Sequence, residues 1–387
     1  MFRVTLLHTR LSGYLAACLR EFKRRSGAEL LIYAWPNQGD APFDPAVFAD
    51  LGEIRNRREH SDSEIADAVR SFRPDALLVS GWADKGYVKI CKEMRKLGVP
   101  VISGCDTQWK GTLRQHLAGI TARFHVQKAI DVLWVTGERQ ATLARALGYD
   151  GERLWDGYYA CDWARFARES VVRGPLSVVR ELGKAPSTTT STTTSTSTDN
   201  RHPTTLPLHR QLTTDNRQPH FLFVGRYVDA KGIDTLTEAY RMYCEQVAEP
   251  WALRCAGAGP LRESLIAAGA EDVGFVQPNE LPALMRSASA FVLPSRFEPW
   301  GVVVQEAAAS GLPLILSNAC GAGVHLLRDQ FNGFSFPAGD ANALAERMVR
   351  MSGMDEEKRA AFGENGFQLS RQYTPERWAE TLLTALR

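Results

Sequence analysis

Glu298 and Glu306 stand with seven residues between them in LPSRFEPWGVVVQEAAASGLP, 293–313. Ionised carboxylates accept strong charge-assisted hydrogen bonds from O–H donors, so a pair of them suits a hydroxyl-rich ligand. Glu298 falls in the loop after an apolar, strand-like run. Pro299-Trp300-Gly301 then opens a helix that carries Glu306 about one and a half turns in. Both carboxylates can therefore face one cleft. The first turn of that helix also leaves N–H groups at Gly301 and Val302 free to meet an anion. A second constellation lies in VGRYVDAKGIDTLTEAY, 224–240. A strand ends at Val224, Gly225 allows a tight turn, and Arg226 and Lys231 flank a loop that opens a helix. Two cations at a helix N-terminus can grip a diphosphate by point charge, forked hydrogen bonds and helix dipole together.

These residues need strand ends and helix starts on one edge of a sheet. The chain supplies them twice. Strand-like runs fall at 2–8, 28–33, 75–80, 99–103 and 131–135, with helical periodicity over 12–25, 61–72, 85–97, 110–128 and 137–147. The second half repeats the scheme, with strands at 219–224, 251–256, 272–276, 290–294 and 312–317. Its helices are expected at 231–247, 260–269, 279–288, 301–310, 340–353, 356–370 and 374–386. Short apolar strands alternating with helices imply parallel sheets covered on both faces. The expected fold is α/β, two tandem Rossmann-like doubly wound domains whose carboxyl edges face a central cleft. The domains are expected at 1–169 and 219–373, with a last helix at 374–387 packing back on the first domain. Between them, PSTTTSTTTSTSTDNR begins a polar, low-complexity stretch, and 170–218 reads as a linker that cannot repay the entropy of ordering.

The glutamate pair, continued as EAAASGLP, resembles the donor-site signature of the retaining GT-B glycosyltransferases of family 4. The resemblance implies that Glu298 contacts the transferred sugar and Glu306 the nucleotide ribose. VGRYVDAKG resembles the family's G-R-x…K-G motif, which implies that Arg226 and Lys231 hold the donor diphosphate. CAGAGPL, 255–261, has the form of the family's nucleotide-domain turn, with Gly257 and Gly259 at its bends. VGFVQPNEL, 273–281, resembles the segment that holds the base, with Val276 as the contact. NACGAGVHLLRDQFNGFSF resembles the family's glycine-rich segment, although Gly321-Ala322-Gly323 and His325 replace the Gly-Gly pair and acidic residue common there. His325 is a candidate ligand contact.

The first half matches less closely. Gly13 is the single glycine where the family often has a glycine-rich loop. SGCDTQWKGT makes Asp106, Gln108 and Lys110 candidate acceptor or sugar contacts, with Asp106 where many members have a histidine. SGW adds Trp82, with Asp84 beside it. GYYACDWARF, 157–166, resembles a segment read as structural.

What this implies is a metal-independent, retaining transferase that moves a sugar from a nucleotide-diphosphate donor to a hydroxyl acceptor, in polysaccharide or glycoconjugate synthesis. No cofactor is expected, the nucleotide sugar being a substrate, and no D-x-D occurs to clamp a metal. An epimerase on the same scaffold, or a catalytically silent sugar-nucleotide binder, are the rival readings. Composition narrows the field further. The 387 residues are 44% hydrophobic and 23% charged, with no apolar run long enough to span a bilayer. The N-terminus lacks the features of a secretory signal. Seven scattered cysteines without a C-x-x-C speak for buried thiols in a reducing cytoplasm. Residues 1–180 carry 27 basic and 21 acidic side chains, net +6, against 19 and 23, net −4, in the remainder. The basic half suits an anionic partner: a phosphate-bearing substrate, or peripheral contact with the inner face of a membrane. Its charges lack the aromatic interleaving of a nucleic-acid surface.

Overall fold

The computed structural model describes residues 1–36, 45–167 and 218–386. Of the linker expected at 170–218, all but Gln218 lies outside the described residues. The first sheet is built from β1 (Arg3–His8), β2 (Glu29–Ala34), β3 (Ile54–Asn56), β4 (Ala76–Val79), β5 (Val101–Cys105), β6 (Val132–Val135) and β7 (Leu154–Trp155). Its order is β3-β2-β1-β4-β5-β6-β7, all parallel. The helices between are α1 (Gly13–Ser26), α2 (Asp62–Phe72), α3 (Lys85–Lys96), α4 (Leu113–Thr121) and α5 (Glu138–Ala146), with a short α6 (Trp163–Phe166) after β7.

The second sheet holds β8 (His220–Val224), β9 (Ala252–Ala256), β10 (Glu271–Gly274), β11 (Ala290–Leu293), β12 (Leu314–Ser317) and β13 (Gly333–Phe336), in the order β10-β9-β8-β11-β12-β13. Its helices are α7 (Ile233–Gln246), α8 (Arg262–Ala267), α9 (Leu281–Ser287), α10 (Val302–Ala309), α11 (Gly323–Leu326), α12 (Ala341–Ser352) and α13 (Glu356–Ser370), followed by α14 (Pro375–Ala385). Both sheets run in the doubly wound order, so each has a switch point where loops diverge: after β1 and β4 in one, after β8 and β11 in the other.

Strands that the sequence hid are short or glycine-started. β3 and β7 are edge strands of three and two residues. β13 begins at Gly333, where an added Cβ would lie 2.0 Å from the Leu314 carbonyl oxygen. A glycine in a strand weakens the β signal while marking close backbone approach. The helix expected over 110–128 begins only at Leu113, because Gly111 is left-handed (φ 64°) and Thr112 caps, its hydroxyl accepting from the Gln115 N–H. It tightens into a 3₁₀ turn at 122–124.

The apolar cores show where the chain changes domain. Tyr158 and Ala160 belong to a cluster on the first sheet, whereas Cys161 and Phe166 belong to the core of the second. Tyr373 is in the second core, and Trp378, Ala379, Leu382 and Leu383 are in the first. α14 thus lies on the first domain, where Trp378 stacks on Trp134 at 4.7 Å and donates its indole N–H to the Tyr158 carbonyl. Gln305, fully buried on α10, holds one crossing: its amide oxygen accepts from the Cys161 N–H and its NH₂ donates to the Tyr159 carbonyl.

Candidate active site

The loop after β8 and the loop after β11 are laced together. The N–H groups of Arg296 and Phe297 both donate to the Ala230 carbonyl, at 3.0 and 3.2 Å. Gly232, left-handed at φ 68°, starts α7 where a Cβ would lie 2.1 Å from the Pro294 oxygen. This close approach sets Lys231 beside Glu298, and the two form an ion pair through Nζ and Oε2. Ser295 Oγ donates to the same oxygen at 3.3 Å. Glu298 is only 7% exposed, so its charge depends on these partners. Arg226 is exposed on the same loop as Lys231.

The glycines do identifiable work here. Gly301 caps α10 at φ 95°, its missing Cβ leaving room for the Glu298 side chain, whose Cγ would otherwise lie 3.0 Å away. Val302 is the first residue of that helix. Gly257 and Gly259, at φ 155° and 154°, fold the turn after β9 onto the Gly225 and Tyr227 backbones, with no space for a side chain. Glu306, half-buried on α10, has its carboxyl pushed up to about 7, first by burial and then by the charge of Asp162. Val276 is half-buried in the loop after β10. Two residues on, Pro278 reaches across to the first domain and lies against Gly13 at the start of α1.

Facing these elements is a cavity of about 1180 Å³ over the carboxyl edge of the first sheet. Its walls include His8, Ser12, Trp82, Asp106, Tyr158 and Tyr159, and Phe297 and Pro299 from either side of Glu298 close it. Exposed Asp106 accepts a hydrogen bond from the Tyr159 hydroxyl at 3.1 Å. Trp82 lines the wall, half-buried. Asp84 turns away to cap α3: burial works against its charge, yet the Tyr87 N–H, Arg57 and the Trp35 indole hold its carboxyl below the usual range.

Three candidates hold the domains together. Gln108 is buried and donates to the Glu298 carbonyl at 3.2 Å. Lys110 places its ammonium 3.6 Å over the Phe297 ring. His325 accepts from the Glu138 N–H through Nε2 at 3.1 Å, between the Trp300 and Tyr373 rings. Of the two roles open to His325 from the sequence, ligand contact or structural histidine, this bond to the N-terminus of α5 supplies the structural one.

His8 lines the cavity without having been singled out. Its Nδ1 meets the Arg10 carbonyl at 2.9 Å, so that nitrogen carries the proton, and Nε2 accepts from the Tyr158 hydroxyl at 2.8 Å. Burial pushes its pKa down to about 4, leaving a neutral ring at pH 7. Its place at the carboxyl end of β1 was the available signal; its partner lies 150 residues away.

The family described as glycosyl transferases group 1 matches residues 206–369. An uncharacterized glycosyltransferase of Methanocaldococcus jannaschii is 29% identical over 163 residues, 40% of this chain and 44% of that protein. Glycogen synthase of Mycobacterium tuberculosis is 35% identical over 133 residues, 32% of this chain and 31% of that protein. The chain thus spans less than half the length of these curated relatives. The crystal structure of Anabaena HepE in complex with UDP and glucose superposes with a TM-score of 0.69 at 15% identity, covering 100% of this chain and 99% of that one, which shows a shared GT-B fold.

Proposed function

We propose that the protein is a retaining, metal-independent glycosyltransferase of family 4. It would take a sugar from a nucleotide-diphosphate donor and pass it to a hydroxyl acceptor in polysaccharide or glycoconjugate synthesis. The observation that carries this is the clasp of Lys231 and Glu298 at the switch point of the second sheet, with Arg226 on the same loop and the cavity opposite. In this reading Arg226, Lys231 and the first turn of α7 take up the charge of the leaving diphosphate. Glu306 receives the ribose hydroxyls, and the Val276 backbone receives the base.

Glu298 positions the sugar and supports positive charge at the anomeric carbon. No carboxylate acts as a nucleophile. The acceptor oxygen attacks from the face the diphosphate leaves, and the departing phosphate oxygen takes its proton, so the anomeric configuration is kept. The acceptor sits in the cavity of the first domain, with Asp106 and Trp82 against it. The reaction takes place in the cytoplasm, with the basic first domain at the inner face of a membrane. A thermal-shift screen of nucleotide-diphosphate sugars tests the donor site, since a ligand at 100 times its Kd adds about 2.7 kcal/mol. NMR of the product from the stabilising donor then reads the anomer. Absence of any shift across the common sugar nucleotides overturns the reading, and an inverted product overturns the mechanism.

A further inference from the structure

α4 is the one α-helix among the described residues that buries none of its side chains. Its sequence is nonetheless amphipathic. Leu113, Leu117, Ile120 and, one turn on, Phe124 recur at helical spacing, so they form a single stripe. They are 83%, 62%, 68% and 51% exposed. Scattered exposed leucines need no explanation, but four large apolar side chains aligned on one helix face do.

The charge around the stripe is one-sided. From 107 to 130 the chain carries Lys110, Arg114, Arg123 and Lys128, with no Asp or Glu. All four are exposed. Helical spacing puts Arg114 on one flank of the stripe and Arg123 on the other, and the Arg123 guanidinium lies 4.6 Å over the Phe124 ring. The inner side of the same helix, through Gln115 and Ala118 with Arg114 at its edge, lines the large cavity.

We infer that the outer face of α4 docks on an anionic lipid bilayer, its four apolar side chains entering the interface while the flanking cations meet the headgroups. An interfacial helix needs this combination: an apolar stripe, a cationic border and no acids to repel the surface. No described helix is long and apolar enough to cross a membrane, so this would be contact from one side. Docking there sets one wall of the cavity beside the lipid. The inference names the element behind the membrane contact of the proposed function, but it is read without any sugar donor, so either can fail alone.

Sedimentation of the full chain with vesicles tests it. Vesicles of phosphatidylcholine with one quarter phosphatidylglycerol should carry the protein down, and phosphatidylcholine alone should carry far less. Leu117→Asp with Ile120→Asp should lower binding at least ~10-fold. Arg114→Ala and Arg123→Ala should each lower it about fivefold. None of these side chains is in a core, so melting temperatures should match the parent. Three results would overturn the inference: no binding to anionic vesicles, equal binding to neutral ones, or unchanged binding in the aspartate pair. A concentration-dependent dimer abolished by Leu117→Asp would overturn it too, by making the stripe a self-association face.

Discussion

The two carboxyl edges are built on the same topology and finished in opposite ways. On the second sheet the loops are laced, glycines bring backbones within contact distance, and the principal carboxylate is nearly buried and ion-paired. On the first sheet the loops line a wide cavity, Asp106 is exposed, and the helix beside it buries nothing. The contrast teaches where the chain has spent its conformational freedom. On the proposed function, the laced edge meets the donor and can be pre-organised, whereas the open edge meets the acceptor and needs only walls and a few polar groups.

The sharpest way to break this comparison is at Glu298. If the rigid side holds the reacting sugar, Glu298→Gln lowers kcat by ~10²–10³-fold, the cost of removing one pre-organised electrostatic contact. An unchanged kcat in a folded protein would move the chemistry elsewhere. Lys231→Ala should act next most strongly. It leaves the Glu298 charge nearly buried beside the Ser295 hydroxyl with its ion-pair partner gone, so chemical denaturation should show a loss of about 3 kcal/mol. Adding Glu298→Gln should recover part of that loss, and additive losses would mean the clasp is not an energetic unit.

Glu306 separates binding from chemistry. Glu306→Gln should raise donor KM about 10-fold with little change in kcat, as expected for a contact that does not change during the reaction. Its carboxyl, raised to about 7, adds a pH signature. Affinity for a nucleotide-diphosphate sugar should strengthen as pH rises through 7 and the carboxylate forms, and the Gln variant should lose that slope. Stability of the free protein runs the other way. The folded state holds a proton that the unfolded chain releases near 4.5, so this group's contribution is complete below 4.5 and lost as pH climbs through 7. Calorimetry at pH 5 and 8 should show a smaller decline in the Gln variant.

The smallest effects belong on the open side. Asp106→Asn should change acceptor KM by a few-fold and leave donor affinity intact, because Asp106 is exposed and bonds the hydroxyl of half-buried Tyr159. Excess EDTA should leave transfer unchanged, and loss restored by magnesium would replace the cationic clasp with a metal.

Legibility in the sequence followed the same divide. The second sheet's candidates sit in contiguous segments, where a strand end, a glycine and a helix start fix geometry over a few residues. Periodicity and apolar runs were enough for the doubly wound order, apart from short edge strands and β13. Contacts that depend on the tertiary meeting of distant segments left no local trace: His8 with Tyr158, Gln108 with the Glu298 carbonyl, His325 with the N-terminus of α5. α4 shows a different limit. Apolar spacing gives a helix its two faces but does not say which of them meets protein.

The two places where the chain changes core, between Ala160 and Cys161 and between Tyr373 and Trp378, lie side by side, for the Trp378 indole bonds the Tyr158 carbonyl. Two neighbouring strands joining two bodies make an axle. Rotation about it moves each point in proportion to its distance from the axis. Gln305 is the bearing, clamped to both sides of the first crossing. Glu306 is the next residue, beside that clamp. On the proposed function, a nucleotide anchored at Glu306 would therefore sit close to the axle and keep its seat in such a rotation, so that a product in the first domain's cavity could leave before the nucleotide does.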